Sequence, residues 1–268
     1  MKPSLTRGTE WPIRRRPPRL EADEVHVWLA RLEASPARVG QFRGLLCAEE
    51  QDRAERFRFP EDRRRFILAR GILRTLLGHY LGIQPREVHF HYNAYGKPAL
   101  AREPSGGPRL EFNLAHAGGQ ALYAFTWERA VGVDLEPIQA EMKYEDIARH
   151  FFALEERTSL AALPPEERAQ GFFNCWTRKE AYLKARGEGL SIPLEDFHVS
   201  LAPDAPAALL GFRERPEEAS RWSLMALDLG PGLAAALAVE GPPLRVRSWR
   251  WPVEETHQET EAGKEARI

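Results

Sequence analysis

The sequence predicts an α+β fold built from two similar halves. Two observations carry this expectation. Segments with helical periodicity are followed by strand-like segments, and this order occurs twice along the 268 residues. We predict a disordered arm at residues 1–20, a first α+β half at 21–137, a second at 138–252, and a disordered tail at 253–268. The halves share no evident sequence identity, so the predicted repeat is one of architecture.

The first half is predicted to open with a strand and to continue in helices. "VHVWLARL" alternates imperfectly, as a strand does, and "SPARVGQFRGLLCAEEQDRAERF" has helical spacing. "PEDRRRFILARGILRTLLGHYLGI" predicts a long helix, with a proline in its first turn. Strands are then expected in "EVHFHYN", "RLEFNLAH", "ALYAFTW" and "AVGVDLEPI", with turn residues in "AYGKPAL".

The second half repeats this order. Helices are predicted in "YEDIARHFF" and "LEERTSLAAL", and a long helix from about Pro165 to Arg186. Gly187 and Gly189 follow it as a C-terminal stop signal. Five strands are expected to close the chain: "FHVSL", "AALLGF", "RWSLMALD", "LAAALAVE" and "LRVRSWRW".

Composition excludes several classes of protein. The net charge of -1 argues against the basic field of a nucleic-acid-binding protein. Only two cysteines occur, Cys47 and Cys175, which favours a reduced compartment and excludes a disulfide framework. No apolar run is long enough to span a bilayer, and the basic N-terminus lacks the apolar segment of a signal peptide. We therefore expect a soluble, cytoplasmic protein.

Two acids occur two residues apart at the end of a predicted strand. Asp134 and Glu136 in "VGVDLEP" share one face of that strand, roughly 6–7 Å apart. Two carboxylates on one face suit a hard cation such as Mg²⁺, which prefers oxygen ligands. The alternative is an exposed strand face with two acids at its end.

A third acid lies on the apolar face of the second long helix. In "FFNCWTRKEAYLKARGEGL", Trp176 and Leu183 belong to the apolar arc, and Glu180 falls within it. A buried carboxylate is costly unless it meets a cation or a metal ion. One interpretation is a partly buried ion pair between Glu180 and Lys184, four residues later. The other is a Mg²⁺–pyrophosphate site, in which the acids hold the metal while Lys179 and Lys184 hold phosphate oxygens.

These segments resemble a known family. "GVDLE" followed by "WTRKEAYLKARGEGL" resembles the 4′-phosphopantetheinyl transferases of the surfactin-synthetase-activating (Sfp) type, with patterns G-[VI]-D-x-E and W-x-x-K-E-A-x-x-K-x-x-G-x-G-[LF]. "GKPAL" and "FNLAH" are similar to the family's G-K-P and F-N-[IL]-S-H elements. "DRRRFILARGILRTLL" resembles its helix that supplies arginines to coenzyme A. The resemblance covers roughly residues 50–200.

The resemblance implies both a fold and an activity. The family fold is a pseudo-twofold pair of α+β halves with the active site in the cleft between them. Its members transfer the phosphopantetheine arm of coenzyme A to a serine of an acyl or peptidyl carrier protein and release adenosine 3′,5′-bisphosphate. The family's metal ligands match Asp134, Glu136 and Glu180 here, which implies a Mg²⁺ site. Lys184 matches a lysine near the transferred phosphate, and Lys179 a neighbouring phosphate-binding lysine.

The upstream motifs imply contacts to coenzyme A. Lys97 and Arg74 match residues that contact coenzyme A, and His116 matches the histidine that binds its 3′-phosphate. Each also fits an ordinary role: a turn residue, a solvated helix face and a surface histidine. Alanines at 115 and 117 stand where the family often has serine, so one hydroxyl is missing beside the 3′-phosphate.

The chemistry implied by the resemblance needs no nucleophile in this chain, because the carrier protein supplies the serine. Glu180, Lys184 and Asp134 are the expected catalytic residues, with Glu180 or a metal-bound water as general base. Glu156 matches an acid that some members place near the site. Carrier proteins are typically acidic around the modified serine, so we expect a complementary local patch on the second half, near "ARHFF" and the long helix.

Two other functions are compatible with the acids. One is a Mg²⁺-dependent phosphodiesterase or nuclease, against which the neutral charge balance and the coenzyme A motifs argue. The other is a non-catalytic relative that only binds carrier proteins, against which the complete set of acids and lysines argues. Family analogy favours a monomer, while the fatty acid, polyketide, peptide and siderophore pathways all remain open.

Overall fold

The computed structural model describes residues 11–101, 107–213 and 215–253 and has the predicted α+β class. The first half contains β1 (Glu24–Arg31), α1 (Pro36–Arg43), α2 (Ala48–Glu55), α3 (Pro60–Leu81), β2 (Phe90–Tyr92), β3 (Pro98–Leu100), β4 (Leu110–Ala117) and β5 (Gln120–Trp127). The second contains β6 (Val131–Pro137), α4 (Tyr144–Phe151), α5 (Leu154–Ala162), α6 (Pro165–Arg186), β7 (Phe197–Val199), β8 (Leu209–Phe212), β9 (Trp222–Ala226) and β10 (Leu233–Glu240). A last strand, β11, spans Arg245–Arg250.

The sheet topology confirms the architectural repeat. Each half runs strand, two short helices, one long helix, a two-stranded ribbon and an antiparallel pair of strands. The first main sheet has the order β11-β1-β5-β4, and the second has the order β6-β10-β9. In both halves the opening strand pairs antiparallel with the last strand, β1 with β5 and β6 with β10. The ribbons are β2–β3 and β7–β8.

Sheet membership corrects the predicted boundaries at two places. β6 lies within the predicted first half but pairs with β10, Asp134 facing Ala236, so the second half begins near residue 130. β11 lies within the predicted second half but pairs in parallel with β1 in the first sheet. Both errors have one cause: ladder partners distant in sequence decide which sheet a strand joins.

The expected disordered arm is wrong for residues 11–20. Trp11 and Leu20 are buried, and Ile13 forms a bridge to Arg250 of β11. Burial of these apolar side chains holds the segment against the first sheet. Residues 1–10 of the predicted arm and residues 254–268 of the predicted tail lie outside the described residues.

Apolar side chains form three clusters. One packs α3 on the first sheet, one packs α6 on the second, and the third fills the space between the two sheets. Successive side chains of β6 point to opposite faces of its sheet, so the strand contributes to two different surroundings. Val131, Val133 and Leu135 join the cluster between the sheets, while Gly132 and Asp134 fall on the other face.

Both long helices begin and end with the same signals. Each has 22 residues and a proline in its first turn. The α3 helix ends at Gly82 (φ 67°) and α6 ends at Gly187 (φ 74°), left-handed conformations that glycine adopts without strain. The predicted bounds of α6, Pro165 to Arg186, are therefore confirmed.

Candidate active site

A glycine brings α6 into direct contact with β6. A Cβ atom at Gly132 would lie 2.1 Å from the carbonyl oxygen of Ala181 and 2.4 Å from the amide nitrogen of Ala185, both in α6. Only a residue without a side chain permits this approach. Asp134 is two residues further along β6 and lies on the same face as Gly132, so the contact places its carboxylate against the last turns of α6.

Asp134 and Lys184 form an ion pair at this contact. Lys184 Nζ lies 2.5 Å from Asp134 Oδ1; the aspartate is buried, whereas the lysine side chain is 32% exposed. The ion pair of Lys184 is thus with Asp134, not with Glu180 as the first interpretation of the helix proposed. The second carboxylate oxygen, Asp134 Oδ2, is buried without a hydrogen-bond partner. A buried carboxylate oxygen left in this way can accept a cation.

The three predicted acids lie within electrostatic reach of one another. Burial raises the pKa of Asp134, and Lys184 opposes that rise. Burial raises the pKa of Glu136, and the charges of Asp134 and Glu180 raise it further. Burial also raises the pKa of Glu180. The charge of Lys184 opposes this rise, and the charge of Asp134 adds to it. One lysine is shared by three partly desolvated carboxylates, so the group favours a further cation.

The donor set fits Mg²⁺ in chemistry. Carboxylate oxygens are the ligands that this ion prefers, and Asp134 Oδ2 is available. Among the residues that the structure describes, however, no three His, Cys, Asp or Glu side chains stand ready to hold a metal ion. Mg²⁺ commonly takes one or two carboxylates and completes its shell with waters and substrate phosphates. A complete protein cage is therefore not required, and the three-ligand set stays a prediction.

A cavity of about 250 Å³ lies between the two halves beside these residues. The first half lines it with the β2–β3 turn and with β4, through Tyr95, Gly96, Lys97, Pro98, Asn113 and Leu114. The second half lines it with α6 and the residues after it, through Glu180, Leu183, Lys184, Gly187 and Gly189. Two of the predicted catalytic residues thus face a cleft between the halves.

Comparison with known proteins gives the family. The model described as "4'-phosphopantetheinyl transferase superfamily" matches residues 130–238, and the model "4'-phosphopantetheinyl transferase, N-terminal" matches residues 33–127. The chain is 40% identical over 239 residues to the 4′-phosphopantetheinyl transferase HetI of Nostoc sp., an alignment covering 88% of this chain and 97% of that protein.

The chain belongs to the 4′-phosphopantetheinyl transferase superfamily.

Further relatives agree with this assignment. The chain is 35% identical to a putative 4′-phosphopantetheinyl transferase of Synechocystis sp., with 70% of this chain and 74% of that protein aligned. It is 28% identical to the 4′-phosphopantetheinyl transferase Sfp of Bacillus subtilis, with 75% of this chain and 85% of that protein aligned. The resemblance to the Sfp type is therefore confirmed. The two family models also meet between β5 and β6, where the structural repeat divides.

Two residues of the transferase motifs lie on the first-half side of the cleft. Lys97 lines the cavity, and its ammonium donates to the carbonyl oxygens of Ala185 at 2.9 Å and Val131 at 3.3 Å. Burial lowers the pKa of Lys97 to about 8. His116 is exposed at the end of β4, and the protein packed around it, together with the charge of Lys184, lowers its pKa. Lys97 therefore lies on the cavity wall, whereas His116 is not among the residues that line the cavity, and its contact with a ligand stays a prediction.

The structure contradicts the ligand-binding roles expected for Arg74 and Lys179. Arg74 is 1% exposed; its Nε donates to Glu50 at 2.6 Å, and its Nη1 donates to the carbonyl oxygens of Pro85 and Val88. Lys179 is fully buried, and its donors are taken by Glu156 and by the carbonyl oxygens of Leu194 and Phe197. Neither cation reaches the cleft.

Glu156 is likewise an internal partner and not an acid of the site. It is 1% exposed, it lies 2.8 Å from Lys179 Nζ, and it accepts from the backbone N–H groups of Ala153 and Val199. Glu50 accepts from the backbone N–H of Cys47 in the same way. Each glutamate is thus both the helix cap of a short helix and the partner of a buried cation.

These two ion pairs are equivalent under the repeat. Arg74 and Lys179 each lie fourteen residues after the first residue of their long helix. Each of these cations pairs with a glutamate of the short helix that precedes its long helix. Each also donates to carbonyl oxygens of the segment that follows its long helix. We call these pairs, Glu50–Arg74 and Glu156–Lys179, the two clasps.

The sequence reasoning missed two asparagines at the cleft. Asn113 of β4 accepts at its Oδ1 a hydrogen bond of 2.9 Å from the backbone N–H of Val133, the residue before Asp134. Asn93, in the β2–β3 turn, donates from its Nδ2 to the carbonyl oxygen of Gly187, 2.6 Å away. The turn signal around "NAYGKP" indicated a tight turn but carried no information about the helix it contacts.

Proposed function

We propose that this protein transfers the 4′-phosphopantetheine arm of coenzyme A to a serine of an acyl or peptidyl carrier protein, releasing adenosine 3′,5′-bisphosphate. The observation that carries the proposal is the pairing of Asp134 with Lys184 beside Glu180, on the wall of a cavity between the halves. Family membership supports it, because relatives that are 40% and 28% identical to this chain are named as 4′-phosphopantetheinyl transferases. The comparisons give no support to a nuclease or phosphodiesterase.

We propose that Asp134, Glu136 and Glu180 hold Mg²⁺ when coenzyme A binds. Bound there, the ion would neutralise charge on the pyrophosphate. The unpartnered oxygen of Asp134 and the raised pKa values of all three acids support this assignment. Lys184, partly exposed on the cavity wall, stabilises charge on the transferred phosphoryl group.

The carrier serine must lose its proton as it attacks. Glu180 lies on the cavity wall, where a carboxylate can accept a proton from a hydroxyl group or from a water bound beside it. We propose that Glu180 accepts this proton directly or through a bound water. Lys97 and His116 are proposed to contact coenzyme A, His116 at its 3′-phosphate.

Partner and location follow from the same proposal. The carrier protein is proposed to be acidic around its serine and to bind transiently, and the enzyme to act as a monomer in the cytoplasm. Within the described segments, none of the helices is long and apolar enough to cross a membrane.

The test is a mass measurement on a carrier protein. An apo carrier protein incubated with the enzyme, coenzyme A and Mg²⁺ should gain the mass of one phosphopantetheine. Glu180→Gln should keep the fold and lose nearly all transfer, and chelation of Mg²⁺ should stop the wild-type reaction. Wild-type enzyme that leaves several apo carrier proteins unmodified would refute the proposed function. Transfer by Glu180→Gln at the wild-type rate would refute the site assignment.

A further inference from the structure

The turn between β2 and β3 reaches from the first half to the end of α6. Asn93 Nδ2 donates to the carbonyl oxygen of Gly187 at 2.6 Å. The same side chain organises its own turn, since Asn93 Oδ1 accepts from the backbone N–H groups of Tyr95 at 3.0 Å and Lys97 at 2.9 Å. One amide group therefore shapes the turn and binds it to the other half.

A second side chain of the turn supports this junction. Lys97 Nζ donates to the carbonyl oxygen of Ala185 in the last turn of α6 and to that of Val131 in β6. The last four carbonyl groups of a helix have no partner within the helix. Here two carbonyls at the end of α6, those of Ala185 and Gly187, are satisfied by side chains of the first half.

The junction is closely packed. Gly187 has φ 74°, and a Cβ atom there would lie 3.0 Å from Lys97 Cδ and 3.3 Å from Asn93 Nδ2. Glycine at this position thus meets two requirements. It adopts the left-handed conformation that ends α6, and it leaves room for the β2–β3 turn. A side chain at this position would push the turn away from α6, and the bond from Asn93 opposes such a movement.

This junction joins the two elements that line opposite walls of the cavity. Tyr95 and Lys97 of the turn line one wall, while Glu180 and Lys184 of α6 line the other. We infer that Asn93 is a positioning residue that holds the two walls together and thereby sets the affinity for coenzyme A. This inference rests on the proposed function only for the identity of the ligand.

The decisive variant is Asn93→Asp, because it separates the two tasks of the side chain. Aspartate keeps the oxygen that accepts from the turn but replaces the donor with an oxygen that repels the Gly187 carbonyl. We expect the KM for coenzyme A to rise about tenfold, which corresponds to a loss of about 1.4 kcal/mol in binding free energy. The KM for the carrier protein should change less than twofold.

A matched control is available in α6 itself. Asn174 Nδ2 donates to the carbonyl oxygen of Leu201 at 3.1 Å, a bond of the same chemistry within the second half and outside the cavity lining. Asn174→Asp should lower the thermal midpoint as much as Asn93→Asp does but leave the KM for coenzyme A unchanged. Equal KM values for the two variants would overturn the inference.

A second measurement does not depend on transfer. Hydrogen–deuterium exchange should become faster in residues 92–98 and 183–189 together in Asn93→Asp, and in neither segment in Asn174→Asp. Should Asn93→Asp not fold, Asn93→Ser keeps a turn-forming hydroxyl that is too short to reach Gly187. Wild-type exchange in both segments would refute the positioning role even in a protein that transfers phosphopantetheine. A wild-type protein without transfer would refute the proposed function, and the exchange result would still decide the role of Asn93.

Discussion

The clasp of the second half offers the sharpest test of what a motif lysine does. Lys179 is part of the family motif, yet it is fully buried, 2.8 Å from Glu156 and hydrogen-bonded to the carbonyl oxygens of Leu194 and Phe197. Lys179→Met removes the cation and leaves the carboxylate and two carbonyl groups without it. We expect a loss of about 3–5 kcal/mol in the free energy of unfolding, the cost of breaking a buried ion pair from one side.

The size of this loss makes the experiment decisive. In a chain of this length each kcal/mol lowers the thermal midpoint by about 2–4 °C, so the shift should be near 10 °C. The double variant Lys179→Met, Glu156→Gln removes both charges and should recover part of the loss, with a coupling of about 1–3 kcal/mol. Thermal unfolding followed by circular dichroism measures both quantities.

The other clasp provides the control. Glu50→Gln breaks the equivalent pair with Arg74 and also the ion pair that Glu50 forms with Arg70, so it should cost at least a similar free energy. None of these three residues lines the cavity. At temperatures where they remain folded, Lys179→Met and Glu50→Gln should both bind coenzyme A as the wild type does, measured by calorimetry. If Lys179→Met unfolds at the wild-type temperature and binds coenzyme A at least tenfold more weakly, Lys179 is a ligand contact and the argument from burial is wrong.

Three further predictions concern the cleft. His116→Ala should weaken binding of coenzyme A far more than that of dephospho-coenzyme A, by calorimetry, and equal losses would exclude a role at the 3′-phosphate. Gly132→Ala should cost about 1–3 kcal/mol or more through overpacking against α6 and should lower transfer by parting Asp134 from Lys184; a stable, active variant would contradict the close contact. The pKa of Lys97 is lowered to about 8, so its charge is present below that pH and lost above it. Affinity for coenzyme A should therefore fall as the pH rises through 8, and the fall should be smaller in Lys97→Met.

The extent to which the sequence predicted this molecule depended on where each signal lies along the chain. The bounds of α6 were predictable because proline and glycine mark both ends locally. The sheet to which β6 belongs was not predictable, since its partner at Ala236 lies about a hundred residues away. For the same reason, a local reading of a Pro- and Arg-rich segment did not predict the burial of Trp11 or the backbone bridge from Ile13 to Arg250.

In the candidate site, too, local signals in the sequence were informative, whereas contacts to distant segments were not. The strand period and the acid on an apolar helix face made Asp134, Glu180 and Lys184 candidates, but their assignment to one site came from the family resemblance. Lys179 was misassigned because helical phase places it at the edge of the apolar arc but does not reveal its partner on another helix. The glutamates of the clasps did leave a local signal. In "CAEE" and "ALEE", Glu50 and Glu156 follow the helix cap by three residues, the spacing of a capping box.

The structural repeat allows the proposed catalytic residues to lie in one half. The same clasp holds both long helices, so the fold of each half is secured at the fifteenth helix position and not by the acids of the site. The residues that follow this position differ. Glu180 and Lys184 of α6 correspond to Thr75 and His79 of α3, where the threonine hydroxyl donates to the carbonyl of Gly71 in its own helix. The second half can therefore place an acid and a lysine in the cleft without weakening its core, while the first half supplies the opposite wall.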